Sequence, residues 1–415
     1  MSSFDFLPSE RIVDIALSLP LDTITKFSQT SKKLNALICE NDEFWKSRFI
    51  KDFKLNHISY KGSWKEQYKN SGNVWAFGSN NFGELGLGNT INKLMPTQIS
   101  NFKAKEVFAD GGRTAIIDLE NNIWTFGHNS YGNLGFNDTR NRLKPTQIPN
   151  LKAKQVSTSL HAVILDDDNN VWTFGSNFGG QLGLGDYQNR TKPTQIPNFK
   201  AQQVAADISH TAIVDVDNNV WIFGGNECGQ LGLGDTEGRL IPTQIPNIKA
   251  KQVAAGGSHT VIIDLDNNVW TFGFNKYGQL GLNDNNNRLI PTHILNLKAK
   301  QVSAGISHTA IIDVDNNVWI FGGNGCGQLG LGDSKIRKIP RQIPKFKALQ
   351  VSTGGSHTVI IDLNNNVWTF GNNEYGQLGL GDTTDRLKPT QIPNLKGEKI
   401  SAGEYHTIMI GTKII

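Results

Sequence analysis

A seven-bladed β-propeller of four-stranded blades, preceded by a small all-α module, is the fold class that this 415-residue sequence predicts. Three observations carry the prediction. A tryptophan recurs at Trp75, Trp124, Trp172, Trp221, Trp270, Trp319 and Trp368, at intervals of 49 residues with a single 48. Each period holds four short apolar runs and none of the i, i+3, i+4, i+7 spacing of an amphipathic helix. The first 50 residues contain no glycine and read as helices. A period of this length marks an array in which one unit cannot bury its own apolar face and its neighbours must cover it.

Within a period, HTVIIDL (259–265) meets VWTFG (269–273) across an Asp-Asn-Asn turn whose residues tolerate positive φ, so a tight hairpin is expected. PTQIP (242–246) and QVAAG (252–256) supply two further short strands. The repeats start in mid-unit at Asn73 and stop in mid-unit after Ile410. The first blade must therefore be completed by the carboxyl terminus, which leaves no open sheet edge.

Taken in order, residues 1–50 read as a small helical domain with segments LPSERIVDIALSL, LDTITKFSQTSKKLNALI and DEFWKSRFI. Ile12, Ile15, Ala16 and Leu19 share one face of the first, and Ser9, Asp22 and Asp42 stand where helix caps belong. So small a module buries little surface and tends to offer its apolar stripe to a partner. Residues 51–72 are a basic connection, read either as a docking helix with Trp64 and Tyr68 packing at i and i+4 or as a solvated linker. Residues 73–415 are the propeller.

The repeat G-x-N-x-x-G-Q-L-G-L-G-D, at 224–235, 322–333 and 371–382, with its companion A-G-G-S-H-T at 255–260, resembles the repeat of the regulator of chromosome condensation, a seven-bladed propeller family. The amino-terminal segment resembles an F-box. Leu7, Pro8 and Glu10 open the pattern, Ile12, Ile15, Leu19 and Pro20 continue it, and Leu34, Leu37, Ile38, Phe44 and Trp45 close it. Arg11 stands where a leucine is usual, and Gln29-Thr30-Ser31 replaces a commoner Val-Ser or Val-Cys. The resemblance implies that these apolar residues dock a Skp-type adaptor of a cullin-based ubiquitin ligase, while the propeller holds a protein substrate. Such a receptor makes no bonds; it raises the effective concentration of its target. The founding activity of the repeat family, nucleotide exchange on a small GTPase, is the alternative, and a non-catalytic scaffold a third. Exchange relies on a wedge-like insertion, and no tryptophan interval exceeds 49.

Composition narrows the partners. Residues 1–50 carry six basic and seven acidic side chains and residues 51–72 five and two, so only +2 of the overall +4 falls to the propeller. A chain that binds by neutralising phosphates is far more basic, and no nucleic acid is expected. Three cysteines make no disulfide framework and fit a reducing compartment, cytoplasmic or nuclear. No run of 18 apolar residues suggests a membrane span, and Asp5, Glu10, Arg11 and Asp14 argue against a secretory leader.

Several recurring residues invite chemistry. His161, His210, His259, His308, His357 and His406, with Arg113 in the first copy, lie in different blades and do not converge as metal ligands would. They are expected to hydrogen-bond backbone at blade turns. Asp138/Arg142, Asp186/Arg190, Asp235/Arg239, Asp284/Arg288, Asp333/Arg337 and Asp382/Arg386 are read as ion pairs closing one loop per blade, with Asn89/Lys93 in copy one. No nucleophile and base, phosphate loop, metal signature or cofactor site is visible, so no catalysis by the chain itself is expected. Recognition should sit where the copies disagree, after the Phe-Gly turn. The candidate substrate-binding residues there are Phe82, Tyr131, Phe178, Glu227, Tyr277, Glu374 and Tyr375, although burial between blades is the default for the aromatics.

Overall fold

The computed structural model describes residues 7–19, 21–53, 63–65, 68 and 71–413. Two compact units divide the chain, residues 1–73 and 74–415.

In the second unit the hairpins form as expected: His259–Asp264 pairs with Asn268–Gly273, and Asn267 at the turn has φ 68°. The outcome differs for the other two runs. They are not separate strands but one, as in Arg239–Gly256. Its first half pairs with Asn219–Gly224 as the outer strand of one blade, and its second half with His259–Asp264 as the inner strand of the next. Asn247, with φ 59°, turns the chain from blade to blade without releasing its ladder; Asn150, Asn198, Asn296, Lys345 and Asn394 repeat the device. In one copy the strand is split, into Arg142–Lys152 and Gln155–Thr158.

The tryptophan marks the period because each hairpin is tied through it. Asp264 Oδ1 accepts from the backbone N–H groups of Asp266 and Asn268, and its Oδ2 accepts from Asn268 Nδ2 and, at 2.9 Å, from Trp270 Nε1. Asp118, Asp166, Asp215, Asp313 and Asp362 do the same for their tryptophans. Replacing Asp313 by alanine strands several donors, and a loss of about 1–3 kcal/mol is expected. Urea unfolding of Asp313→Ala checks this; an unchanged midpoint would mean the network is not stabilising.

The core lies between blades. Val261, Ile263, Val269 and Ile294 of one blade pack with Val302, Ile311 and Phe321 of the next. Buried contacts thus join neighbours, which is why a single copy cannot stand alone.

Closure follows the expected route. Asn73–Gly78 pairs antiparallel with His406–Lys413, from Val74 opposite Ile410 to Gly78 opposite His406. The inner strands neighbour one another in a complete cycle. Between most blades an inner-strand glutamine brackets the next backbone: Gln203 Nε2 donates to the Val253 carbonyl at 2.8 Å, and its Oε1 accepts from the Val253 N–H at 2.7 Å. At the closing seam Lys399 and Glu106 occupy the glutamine positions and form an ion pair at 2.9 Å.

The histidines correct an expectation. Their Nε2 atoms meet not backbone but a threonine hydroxyl of the following blade, at 2.6–3.0 Å: His161 with Thr211, His210 with Thr260, His259 with Thr309, His308 with Thr358, His357 with Thr407, and His406 with Thr114. All six rings are fully buried, and burial pushes them down to about 3, or about 4 for His210. Arg113 has no such threonine to meet, because Ala162 stands at that position. Its guanidinium reaches the Ser159 and His128 carbonyls instead.

The first unit holds α1 (Ser9–Ser18), α2 (Leu21–Ser28), α3 (Lys32–Ile38) and α4 (Asp42–Phe53). The single helix expected over 21–38 is two, because the Ser31 hydroxyl caps α3 by accepting from the Leu34 N–H. Ser9 is the first residue of α1 rather than its cap, and Asp22 lies inside α2. Asn41, not Asp42, caps α4, accepting from Glu43 and Phe44. Of the helix expected over 64–69, residues 64, 65 and 68 are described, and they are helical. Trp64 packs on Phe49 and Tyr68 on Trp45, so both turn back onto α4. Arg48, Asp52 and Tyr68 form a buried polar group, with Asp52 Oδ2 accepting from both partners at 2.5 Å. Burial and the Asp52 carboxylate push the Tyr68 hydroxyl well up.

Candidate recognition face

The third strand of each blade ends in a glycine such as Gly273, φ 98°, where a Cβ would lie 2.5 Å from the Ser258 carbonyl oxygen. The loop that follows is held from within. Asn275 is buried; its Oδ1 accepts from the Leu280 N–H, and its Nδ2 donates to the Asp284 carbonyl and carboxylate. Gln279 Oε1 accepts from the Tyr277 N–H, and Arg288 binds Asp284 at 2.6 Å. Six blades carry this Asp–Arg closure, at 2.5–2.8 Å. The motif residues are thus spent on the shape of the loop, and the two positions between its asparagine and glycine are left to face outward.

All seven candidate binding residues occupy those positions. Phe82, Phe178 and Tyr277 are 40%, 65% and 42% exposed, which departs from burial between blades. Tyr131 and Tyr375 are half-buried, and Glu227 and Glu374 are exposed. Some reach across to a neighbour: Tyr131 meets Phe178 edge-on at 5.5 Å, and Phe82 lies 4.5 Å from the His128 ring.

The sequence reading missed the turns beside these loops. Tyr405 packs against Tyr375, with ring centroids 5.2 Å apart and the planes tilted by 60°, and Glu404 precedes it. Asp110, Ser159 and Asp207 occupy the turn position that is Gly256, Gly305, Gly354 and Gly403 in the other copies. Burial pushes the Asp110 carboxyl up to about 6, and burial with Asp110 nearby pushes Asp207 up as well. Their signal was a departure from A-G-G-S-H-T in consecutive copies.

The candidate adaptor-binding residues divide. Ile12, Leu34, Ile38, Phe44 and Trp45 are buried. Leu7, Ile15, Leu19 and Leu37 are half-buried and Pro8 is exposed, whereas Pro20 lies outside the described residues. Among the described residues no cluster of His, Cys, Asp or Glu is arranged to hold a metal ion, and Cys39, Cys228 and Cys326 are free thiols. No described helix is long and apolar enough to cross a membrane.

Comparison with known proteins places these features. The profile of the regulator of chromosome condensation (RCC1) repeat matches residues 71–109, 120–161, 168–214, 217–263, 266–312, 315–361 and 364–410. A second profile of that repeat matches 250–279, 299–328 and 349–377. The helical unit lies almost wholly ahead of the first match. No curated protein sequence matches the chain. Among solved structures, human WBSCR16 superposes with a TM-score of 0.75 at 20% identity, covering 83% of this chain and 99% of its own. Yeast RCC1 (Prp20), bound to Kap60, gives 0.75 at 21%, covering 87% and 94%. Prp20p from Saccharomyces cerevisiae, described with its binding to Gsp1p and histones, gives 0.74 at 21%, covering 86% and 97%. At these identities the likeness concerns the fold, a seven-bladed propeller. With seven matched copies over most of its length, the chain belongs to the RCC1 repeat family.

Proposed function

We propose that the chain is a non-catalytic recognition subunit, whose helical unit docks a Skp-type adaptor of a cullin-based ubiquitin ligase and whose propeller face holds a protein target in the cytoplasm or nucleus. The observation that carries this reading is a rigid set of loops with exposed, copy-specific side chains, joined in one chain to helices that keep the F-box order from Leu7-Pro8 to Trp45. Rigid loops bind without paying for their own ordering, which suits recognition.

A second reading is regulation of a small GTPase, and the comparisons speak for it more directly than for the first. Its support is the repeat family together with the solved yeast relative described as binding Gsp1p. Against it stands the even 49-residue beat, which leaves no blade an insertion to act as a wedge.

One pair of measurements separates them. Co-purification with Skp adaptor and cullin, lost on replacing Leu7 and Pro8 by alanine, is the expected result for the receptor. Accelerated release of labelled GDP from a small GTPase, with no adaptor captured, would instead establish the second reading.

A further inference from the structure

The mouth of the axial channel, on the same side as the variable loops, has two unlike halves. In the half formed by Gly256, Gly305 and Gly354, an added Cβ would lie 2.2–2.5 Å from the next blade's carbonyl oxygen. Neighbouring turns there are stitched directly, Gly257 N–H to the Gly305 carbonyl and Gly355 N–H to the Gly403 carbonyl. Glycine closes that half. In the other half the same position bears the side chains of Asp110, Ser159 and Asp207.

A cavity of about 150 Å³ lies along the axis, lined by Asp110, Asp207, Ser157, Thr158, Ser303 and Thr353, among others. That is room for about five waters, or for the end of one long side chain. Thr158, 5% exposed, lines the same cavity.

Acidic side chains outnumber basic ones around this half. Asp110 and Asp207 flank Ser159, whose hydroxyl is 3.5 Å from Asp207 Oδ1. Glu404 sits close enough to both to disfavour their ionisation. None of the ion pairs among the described residues includes Asp110, Asp207, Glu374 or Glu404. The nearby cation, Arg113, is fully buried and committed to backbone carbonyls. Around these acids runs an aromatic arc on successive blades: Tyr375 and Tyr405, Phe82, Tyr131 and Phe178. Carboxylates beside aromatic faces are complementary to guanidinium and ammonium groups, which pair with the one and lie over the other. A divalent metal ion is the poorer fit, since no three acids among the described residues are grouped to hold one.

We propose that this open half of the mouth receives a lysine- or arginine-rich segment of a partner protein, one cationic side chain entering between Asp110 and Asp207 while flanking residues lie across Phe82, Tyr131, Phe178 and Tyr405. The inference rests on the reading of this face as a protein-binding surface, and names the chemistry of its partner.

Fluorescence anisotropy of the full chain with a labelled Lys/Arg-rich peptide, and with its Ser/Gln-substituted counterpart, tests it. The basic peptide is expected to bind, more weakly as salt rises, and the neutral one not. Asp110→Asn with Asp207→Asn should weaken binding about tenfold or more. Glu374→Lys, at an exposed position that does not threaten folding, should weaken it too. Asp168→Asn and Asp217→Asn, on hairpin tips at the other end of the blades, should change nothing. Equal binding of both peptides, or of all variants, overturns the proposal, as does calcium alone occupying the site and excluding the peptide. Adaptor capture is measured in parallel. If it persists while the basic peptide fails to bind, this inference falls and the receptor reading stands.

Discussion

Acidification from pH 7.5 to 5 is expected to unfold the propeller. The six inter-blade histidines take up protons near pH 6.5 in the unfolded chain. In the folded one, burial holds them at about 3 to 4. Between those values the unfolded state binds more protons, so stability is complete above pH 6.5 and is lost as the pH falls through it. At pH 5 each ring contributes about 2 kcal/mol to that loss and the six together about 12. That rivals the whole stability of a typical domain, about 5–15 kcal/mol. Asp110 and Asp207, whose carboxyls are raised, act in the opposite direction, but two groups cannot balance six. Urea midpoints measured from pH 7.5 to 5 should fall steeply, and His308→Gln with His357→Gln should flatten the dependence by about a third. A midpoint constant across that range would show that the rings are not held neutral.

Ending the chain after Tyr405 is expected to abolish the folded propeller. The cut removes the strand opposite Asn73–Gly78 and with it Ile408, Met409 and Ile410, each at most 1% exposed. Loss of buried side chains of this size costs about 2–5 kcal/mol apiece, and the cut also exposes a ladder edge open to other chains. The truncated chain should elute as aggregate and lack a cooperative urea transition, whereas removal of only Ile414 and Ile415 should leave both unchanged. A truncated monomer melting like the intact chain would mean that the terminal strand is dispensable.

Much of this was legible because the repeat averages out accident. One hairpin with Asp, Asn and Trp in fixed order is weak evidence, but six in phase specify strand, turn and partner together. The fusion of two short runs into one strand was not legible, because the residue that achieves it, Asn247 in the left-handed region, looks in sequence like any loop asparagine. The histidine partners escaped for a different reason. They lie about 50 positions away in the next blade, beyond any local pattern, although the coincidence of Arg113 with Ala162 records the pairing once the ring is known. In the helical unit the break at Ser31 was hidden by an apolar spacing that runs through it. On the recognition face, attention to variable loops found the aromatics. The acids at 110 and 207 sat in turns that seemed merely to repeat.

The strands that belong half to one blade and half to the next also bear on how such a chain can change its size. Excising any one 49-residue stretch fuses a leading half to an equivalent trailing half, so every remaining strand is whole and no ladder is orphaned. Gene duplication or loss of a copy therefore meets no barrier in the connectivity. The number of blades is set elsewhere, by the angle at which packed neighbours wedge apart and by whether the final strand still arrives beside the first.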